Sequence, residues 1–533
     1  MTLPRRPLLL HGFMGAGKST IGRIAATRAG VPFADLDQIV EARAGKSIAA
    51  LFAEAGEPAF RALEAETLDQ LLQDPNGPQV IALGGGALLD QTRRRAILER
   101  AFIATLTAPP RTLLDRTAGL TRPLLGPAID PAARLEKITA LLAERAAAYA
   151  EAHAQLSTEE APPEAIAERV LAAWTTPTLA IPLGPRTYTV RFVRRDLRAV
   201  GSALTTLRPS ATFVVTDENV QAHWGKALGD ALSATGHAPR ATTVLRPGEE
   251  HKRLAAVEQA LAAMVEAGAD RDAVVIGHGG GVVTDIAGFA AATLLRGVRW
   301  IPVPTTLLGM VDASVGGKTG VDLGSAKNAV GAFHQPSAVI LDTAQVETES
   351  ARAYRGGLAE VVKAACIGDP ALFDLLERSA AQVLARDSDL VEEIAFRAVA
   401  VKAGIVSRDE RESGERALLN FGHTLGHALE AAGGFSRLTH GEAVSLGMVA
   451  MLRVGQALGR TDAAEAARIV ALLERLGLPV ELDPASLRAA LPLVALDKKR
   501  RAGAVRAVVP ERIGQARIEP IALGSLPGLL GLA

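Results

Sequence analysis

Leu8-Leu-Leu-His-Gly-Phe-Met-Gly-Ala-Gly-Lys-Ser-Thr20 decides the first half of the fold. Leu8–Leu10 reads as a buried strand, and Thr20–Arg28 as the helix that follows it. Between them Gly12-Phe-Met-Gly-Ala-Gly-Lys-Ser19 fits the spacing G-x-x-x-x-G-K-[ST] in the strand–turn–helix context that this motif requires. Glycine lets backbone N–H groups curl around phosphate oxygens, which assigns Gly15, Gly17 and Thr20 to a nucleotide cradle. Lys18 would neutralise the β/γ charge, and Ser19 would hold Mg²⁺. A chance glycine turn does not ordinarily match every position in context.

Working outward, Val80–Leu83 and Phe102–Leu106 read as further buried strands, Val31–Ala34 as a strand candidate, and Ala59–Leu72 and Pro131–Ala150 as helices. The alternation predicts an open α/β sheet with parallel strands. From His153 to Pro177 the composition shifts to Ala, Glu, Pro and Thr. Pro162-Pro163 can start one last helix to Trp174, and Thr175-Thr-Pro-Thr178 reads as a linker, so the first domain is placed at 1–176. A second α/β block follows, with strand candidates Thr212–Thr216, Ala241–Leu245, Ala273–Ile276 and Arg299–Val303. After Ala351 the strand signals fade, and Ala/Leu/Glu/Arg-rich helical patterns run from Glu360 through Leu476. This predicts an α/β nucleotide-binding subdomain at 177–350 and an α-helical subdomain at 351–533.

At roughly 100–200 residues per domain, 533 residues suggest three or four structural domains. Lys plus Arg and Asp plus Glu both number 58, and aromatic residues make up 4%, so neither net charge nor a stacking surface favours nucleic acid or an acidic membrane. The single cysteine, Cys366, excludes an intrachain disulfide. The short apolar run after Met1 ends at Gly12 and is not read as a signal peptide, and no apolar stretch reaches membrane-spanning length. A cytoplasmic enzyme is the expectation.

Other residues bear on what the phosphate cradle serves. Asp35 and Asp37 close the Val31–Ala34 strand candidate: one carboxylate can reach Mg²⁺ and the other an acceptor hydroxyl, although either can also cap a helix. Arg61 stands near a helix start, and Gly84-Gly-Gly86 ends a strand where bare backbone can approach a ligand. Arg116, Arg122 and Arg145 are the residues of a clamp on carboxylate and phosphoryl groups; taken singly, each reads as a surface arginine. The series Gly-Phe-Met-Gly-Ala-Gly-Lys-Ser-Thr, Asp35-Leu-Asp37, Phe60-Arg61, Gly84–Gly86, Arg122-Pro-Leu-Leu125 and Arg145-x-x-x-Tyr149-x-Glu151 resembles shikimate kinase over about residues 7–174. The resemblance implies that Asp37, Arg61, Gly85 and Arg145 bind shikimate, and that Lys18, Ser19 and Asp35 serve ATP and Mg²⁺. It places Arg122 on a lid, with Asp37 and Lys18 acting in catalysis. The lid between Arg116 and Arg122 is short for the family.

In the second half, Gly279-Gly-Gly-Val-Val-Thr-Asp285 follows an apolar strand and suits a pyrophosphate, with Gly280, Gly281 and Asp285 nearest it. Without G-x-G-x-x-G spacing it also reads as a tight turn. Asp217 and Asn219 close the strand Thr212–Thr216, and Glu249 and Lys252 form a polar turn. His423 and His427 share a helix face at i, i+4, and His440 follows. With Glu360 as oxygen ligand they make a divalent-metal set in which His427 is the outer or substrate-binding member. Lys318, Lys327, Asn328, Lys363, Lys402, Arg416 and Asn420 read together as a pocket for a multiply charged anion, and singly as solvated side chains.

Asn420-Phe-Gly-His-Thr-Leu-Gly-His427, His440-Gly-Glu-Ala443, Val303-Pro-Thr-Thr-Leu-Leu308, Val311-Asp-Ala-Ser-Val-Gly-Gly-Lys318, Lys327-Asn328 and Asp497-Lys-Lys499 resemble 3-dehydroquinate synthase over about residues 180–530. The resemblance implies NAD contacts from Asp217, Asn219, Glu249, Lys252, Gly280, Gly281, Asp285, Thr305, Thr306, Asp312, Lys318, Lys327 and Thr348. It implies Zn²⁺ or Co²⁺ on Glu360, His423 and His440. It implies substrate contacts from Arg296, Asn328, Lys363, Lys402, Arg416, Asn420, His427 and Lys498, with Lys318, Lys363, Lys402, Arg416 and His427 also catalytic. The family closes 3-deoxy-arabino-heptulosonate 7-phosphate into a carbocycle by transient oxidation, β-elimination of phosphate, re-reduction, ring opening and aldol closure. It also implies a homodimer, with Arg296 acting across its interface. Two departures stand out: Thr284 occupies a usual glycine position, and Thr348–Ala353 lacks the usual Thr-Leu-Pro-x-Arg-Glu.

Two rival readings remain at this point. The kinase can serve another polyol acid such as gluconate, and the second half can be another sugar-phosphate cyclase or a glycerol-type dehydrogenase. A P-loop regulatory or nucleic-acid-binding protein with a degenerate enzyme domain is the rival from outside catalysis.

Overall fold

The computed structural model describes residues 6–118, 130–159, 161–324, 326–434, 437–494 and 504–532. It divides into two compact units, Leu3–Thr189 and Val190–Ala533.

The first unit is built on a five-stranded parallel sheet. Its spatial order is Phe33–Asp35, Val80–Ala82, Leu8–Gly12, Phe102–Thr107 and Ala154–Ser157. The central strands are covered on both faces, which is why Leu8–Leu10 is apolar without alternation. Leu8 and Leu10 pack with Ile21, Ile138 and Trp174 on one side. Leu9 packs with Leu36, Phe60 and Ile97 on the other. The helix Pro163–Thr175 forms where the proline pair predicts one. The strand Ala154–Ser157 is an addition: at the sheet edge, its mixed polar sequence carries little strand signal. The segment Ile48–Gln73 breaks at Gly56, whose φ of 78° suits glycine, and Pro58 follows at the start of the next helical turn. That break sets Phe60 and Arg61 near the beginning of a helix.

The second unit opens with four parallel strands in the order Arg299–Pro304, Val274–Gly279, Thr212–Asp217 and Ala241–Leu245. Helices Leu254–Glu266 and Gly281–Thr293 cover one face, and Arg198–Leu207 and Lys226–Ala234 the other. An antiparallel hairpin, Lys318–Leu323 with Ala326–Phe333, follows. Helices dominate from Ala351: Ala351–Gly368, Pro370–Leu384, Ser388–Arg408, His423–Ala432, His440–Ala457, Ala463–Arg475 and Pro484–Val494. The chain then forms a second hairpin, Ala504–Arg512 with Gln515–Ala522, inside the region expected to be helical throughout. Its turn uses Gly514 at φ 84°, and Val505, Ala507, Val508 and Val509 are buried. Among the described residues no helix is long and apolar enough to cross a membrane.

Bare backbone sets the helix spacing around the later functional residues. A Cβ on Gly441 would stand 2.1 Å from the Gly356 carbonyl oxygen, and one on Gly447 would stand 1.8 Å from that of Gly422. The helices that begin at Ala351, His423 and His440 therefore meet at glycine. Upstream, the Glu349 carboxylate accepts from the Leu307 N–H at 3.0 Å, and burial pushes its pKa up to about 7.

Three substitutions test this packing and this buried carboxyl. Gly441→Ala forces backbone apart and should cost about 1–3 kcal/mol by urea unfolding. Gly229→Ala, in helix Lys226–Ala234 with open space around it, should instead gain about 0.5–1 kcal/mol. Because Glu349 binds its proton more tightly folded than unfolded, its contribution is full below about pH 4.5 and is lost as pH rises through about 7. Glu349→Gln should therefore flatten the fall in unfolding temperature between pH 5.5 and 8.5. An unchanged slope would contradict this account of Glu349.

Candidate active sites

A cavity of about 570 Å³ opens in the first unit, where the strands Leu8–Gly12, Phe33–Asp35 and Val80–Ala82 end. Gly15, Gly17, Lys18, Ser19, Thr20, Asp35, Asp37, Arg61, Gly85, Arg116 and Arg145 all line it. Gly15 and Gly17 take φ of 79° and 90°, the left-handed conformations that let the turn wrap inward. The Lys18 ammonium donates to the Gly12 and Phe13 carbonyls, each at 2.9 Å, so it is held across the mouth of the turn. Ser19 Oγ donates to Asp35 Oδ2 at 2.6 Å. Asp35 occupies the cap position of helix Leu36–Ala44 but makes no side-chain cap bond, so its carboxylate faces Ser19 rather than the helix. A hydroxyl beside a carboxylate at a phosphate cradle is a suitable donor pair for Mg²⁺.

The acceptor side of the cavity is crowded with charge. Arg61 donates to Glu64 at 2.7 Å and to Glu57 at 3.0 Å. A Cβ on Gly84 would lie 2.2 Å from Glu64 Oε1 and 2.8 Å from Asp37 Oδ1, which places both carboxylates against this bare backbone. Burial raises the Glu64 pKa; Arg61 opposes the rise and the Asp37 charge adds to it. Arg145 is buried and donates to the Gly85 carbonyl at 3.4 Å, beside the Tyr149 hydroxyl at 2.8 Å. Arg116 is braced by Thr158 Oγ1 at 2.8 Å and the Thr158 carbonyl at 2.9 Å. Arg122 lies outside the described residues.

Two residues here were not foreseen. Glu64 follows Arg61 by three positions, a helix-face spacing that could have flagged it. His11 is fully buried edge-on to Tyr149, with ring centroids 5.0 Å apart. Burial, then the charges of Lys18, Arg94 and Arg145, drive its pKa down to about 3, so it stays neutral.

In the second unit Gly280 caps helix Gly281–Thr293. Any side chain on Gly279 would meet Val283 at 2.6 Å, so the approach to the helix N-terminus is kept bare. Thr284 is absorbed into the first helical turn: its hydroxyl donates to the Gly281 carbonyl at 3.1 Å and the Gly280 carbonyl at 3.3 Å. Around this turn, Lys252 donates to Asp285 and Asn328, both at 2.6 Å. Lys327 pairs with Glu430 at 2.9 Å and Glu249 at 3.3 Å. The Thr305 N–H donates to the Gly279 carbonyl at 3.0 Å, and Thr306 Oγ1 accepts from the Gly309 N–H at 3.1 Å. Asp217 caps the short helix on which Asn219 is exposed. Thr348 accepts from Trp224 Nε1 at 2.8 Å.

The buried cations converge on Asp312. Lys402 reaches Asp312 Oδ1 at 2.7 Å and Lys363 reaches it at 3.5 Å. Burial, countered by Asp312 and reinforced by the Lys363 and Arg416 charges, brings the Lys402 pKa down to about 8. Arg416, also buried, donates to the Gly316 carbonyl at 3.0 Å. Lys318 pairs with Glu412, which also accepts from Asn420 Nδ2 at 2.6 Å. Glu412 had not been singled out; it takes a strained φ of 60° and joins two expected site residues.

Glu360 Oε1 lies 3.5 Å from His423 Nε2 and 3.4 Å from His440 Nε2, and Glu360 Oε2 pairs with Lys363. One carboxylate oxygen and two imidazole nitrogens aimed at one point are a donor set that fits Zn²⁺ or Co²⁺ and leaves coordination positions for substrate. The His427 ring is centred 5.2 Å from that of His423 and 5.8 Å from that of His440. On its other side His440 Nδ1 meets Glu430 at 3.4 Å. Burial disfavours both charges, but pairing prevails: His440 rises to about 9 and Glu430 falls to about 2. Arg296 is exposed after helix Gly281–Thr293 at φ 71° and, among the described residues, makes none of these contacts. Lys498 and its Asp497-Lys-Lys499 string lie outside the described residues.

Comparison with known proteins places each half of the chain beside a known family. Residues 14–175 match the family model described as shikimate kinase. Residues 242–356 and 357–500 match the N-terminal and C-terminal models of 3-dehydroquinate synthase. A 3-dehydroquinate synthase of Rhodopseudomonas palustris (strain BisA53) is 43% identical over 352 residues, covering 64% of this chain and 92% of that protein. One from Geobacter metallireducens is 43% identical over 338 residues, covering 63% and 94%. A solved structure of ValA, the 2-epi-5-epi-valiolone synthase from Streptomyces hygroscopicus subsp. jinggangensis 5008 with NAD⁺ and Zn²⁺ bound, is 32% identical with a TM-score of 0.59, covering 64% of this chain and 95% of that one. The chain belongs to the 3-dehydroquinate synthase family through its larger part, fused behind a shikimate kinase domain, and it carries both activities.

Proposed function

We propose that the first site transfers the γ-phosphoryl group of ATP to the 3-hydroxyl of shikimate, and that the second converts 3-deoxy-D-arabino-heptulosonate 7-phosphate to 3-dehydroquinate and phosphate. Residues 1–176 form the kinase, 177–350 the NAD-binding part and 351–533 the metal and substrate part of the synthase, which works as a homodimer with Arg296 at its interface. The observation that carries the synthase reading is the meeting of the Glu360–His423–His440 set with the lysines on Asp312.

In the kinase site the cradle holds the ATP phosphates, with Lys18 moving from the turn carbonyls to the β/γ oxygens. Ser19 and Asp35 hold Mg²⁺. Arg61, Arg145 and the Gly85 backbone fix the shikimate carboxylate and ring, while Asp37 accepts the proton of the attacking hydroxyl. In the synthase site NAD⁺, when bound, would supply a hydride acceptor, and Glu360, His423 and His440 would hold a divalent ion able to polarise a substrate oxygen. Gly280, Gly281 and Lys327 hold the nucleotide. Lys363, Lys402, Arg416, Asn328 and Asn420 bind the carboxylate and phosphate of the substrate. His427 lies beside the metal set as a substrate-binding residue, and Glu412 joins Lys318 and Asn420. A dehydrogenase would consume NAD⁺ stoichiometrically, and a cyclase would not.

Three tests bear on this reading. Wild type should release phosphate from the heptulosonate phosphate with catalytic NAD⁺ and added zinc, without net NADH, and His423→Ala should not; no release by folded, zinc-loaded, NAD-bound wild type would overturn the synthase assignment. For the kinase, Asp37→Asn should lower kcat about 10²–10⁴-fold while ATP still binds. Because Lys402 loses its proton near pH 8, the synthase kcat/KM, which reports the free enzyme, should fall as pH rises through that value. Lys402→Met should be low and lack this limb of the pH profile.

A further inference from the structure

Glu430 belongs to neither expected ligand set, yet it touches both. It is buried at the end of the turn that follows His427 in helix His423–Ala432. One carboxylate oxygen accepts from Lys327 Nζ at 2.9 Å, and the other faces His440 Nδ1 at 3.4 Å. His440 points its second nitrogen, Nε2, at Glu360. The imidazole is thus spanned by two carboxylates, one on the ligand side and one behind it.

His427, Glu430 and His440 also form a second group spaced for a metal. The two groups share His440 but use different nitrogens of its ring: Glu360 and His423 gather at Nε2, and Glu430 lies at Nδ1. A carboxylate behind a metal-bound imidazole fixes the tautomer and raises the basicity of the ligand nitrogen.

We propose that Glu430 is a positioning residue that couples nucleotide binding to metal binding. In the structure Lys327 holds part of the Glu430 charge. A dinucleotide phosphate that draws Lys327 away leaves that charge to His440 Nδ1–H, and His440 Nε2 becomes the better metal ligand. By reciprocity, metal binding favours the dinucleotide to the same extent. The inference rests on reading Glu360, His423 and His440 as metal ligands and Lys327 as a nucleotide contact.

The test is zinc affinity of the metal-stripped full chain, measured by competition with a chromophoric chelator, with and without NAD⁺. Wild type should bind zinc more tightly with NAD⁺. Glu430→Gln should bind it about 10–100-fold more weakly and lose the NAD⁺ effect, whereas Glu430→Asp should recover part of both. Lys327→Met should bind zinc at least as tightly as wild type and also lose the NAD⁺ effect. Wild-type zinc affinity in Glu430→Gln, or an NAD⁺ effect that survives there, would overturn the coupling alone. Zinc binding that survives His423→Ala would instead overturn the underlying metal assignment.

Discussion

The pairing of closely packed cations with internal acceptors is the constraint on which both sites depend. A charged group removed from water costs several kcal/mol unless it is paired, and a pocket built for phosphate and carboxylate concentrates such groups. The protein meets the constraint with internal stand-ins. Lys18 lies on the carbonyls of its own turn, and Arg61 lies on Glu64 and Glu57. In the synthase part Lys363 and Lys402 share Asp312, Lys252 takes Asp285, and Lys327 takes Glu430 and Glu249. The acidic residues that interleave with these lysines therefore do two things. They compensate the cations within the fold, and they set the charge that an incoming anion must displace.

Such networks hold their geometry only on rigid elements. In the first unit the parallel sheet delivers Gly12, Asp35 and Leu83–Gly86 to one end, where a left-handed turn can wrap and a kink at Gly56 restarts the helix that carries Arg61. In the second, glycine-to-backbone contacts bring three helices closer than side chains would permit. Glu360, His423 and His440 then meet from three separate helices. The chemistry is local, but its placement comes from where the chain can do without a side chain.

Much of this was legible in sequence because it is tied to backbone. The phosphate turn, the apolar strands and the i, i+4 histidines have short-range signatures that physical spacing enforces. Asp35 shows the limit: sequence left it between helix cap and metal side, and only the Ser19 contact separates the two. Glu412 and Glu430 were missed because a single carboxylate reads as solvated surface until the fold sets Glu412 against Lys318 and Asn420, and buries Glu430 against Lys327 and His440. His11 was missed because nothing in a strand pattern marks a polar residue as buried. The terminal hairpin was missed because long helical patterns before it set the expectation, while Gly514 and the short, mostly apolar run Val505–Val509 carried a weaker signal. Thr284, a departure at sequence level, fits the first helical turn, where its hydroxyl donates to helix carbonyls.

The central claim is that one chain carries two chemically separate active sites. The most direct measurement assays a single preparation of the full chain for ATP-dependent shikimate phosphorylation and for NAD-dependent, zinc-dependent cyclisation, alongside Lys18→Ala and Glu360→Ala. The account predicts that wild type performs both, that Lys18→Ala loses only the first and that Glu360→Ala loses only the second. Loss of both reactions in either folded variant, or retention of both in either, would contradict it.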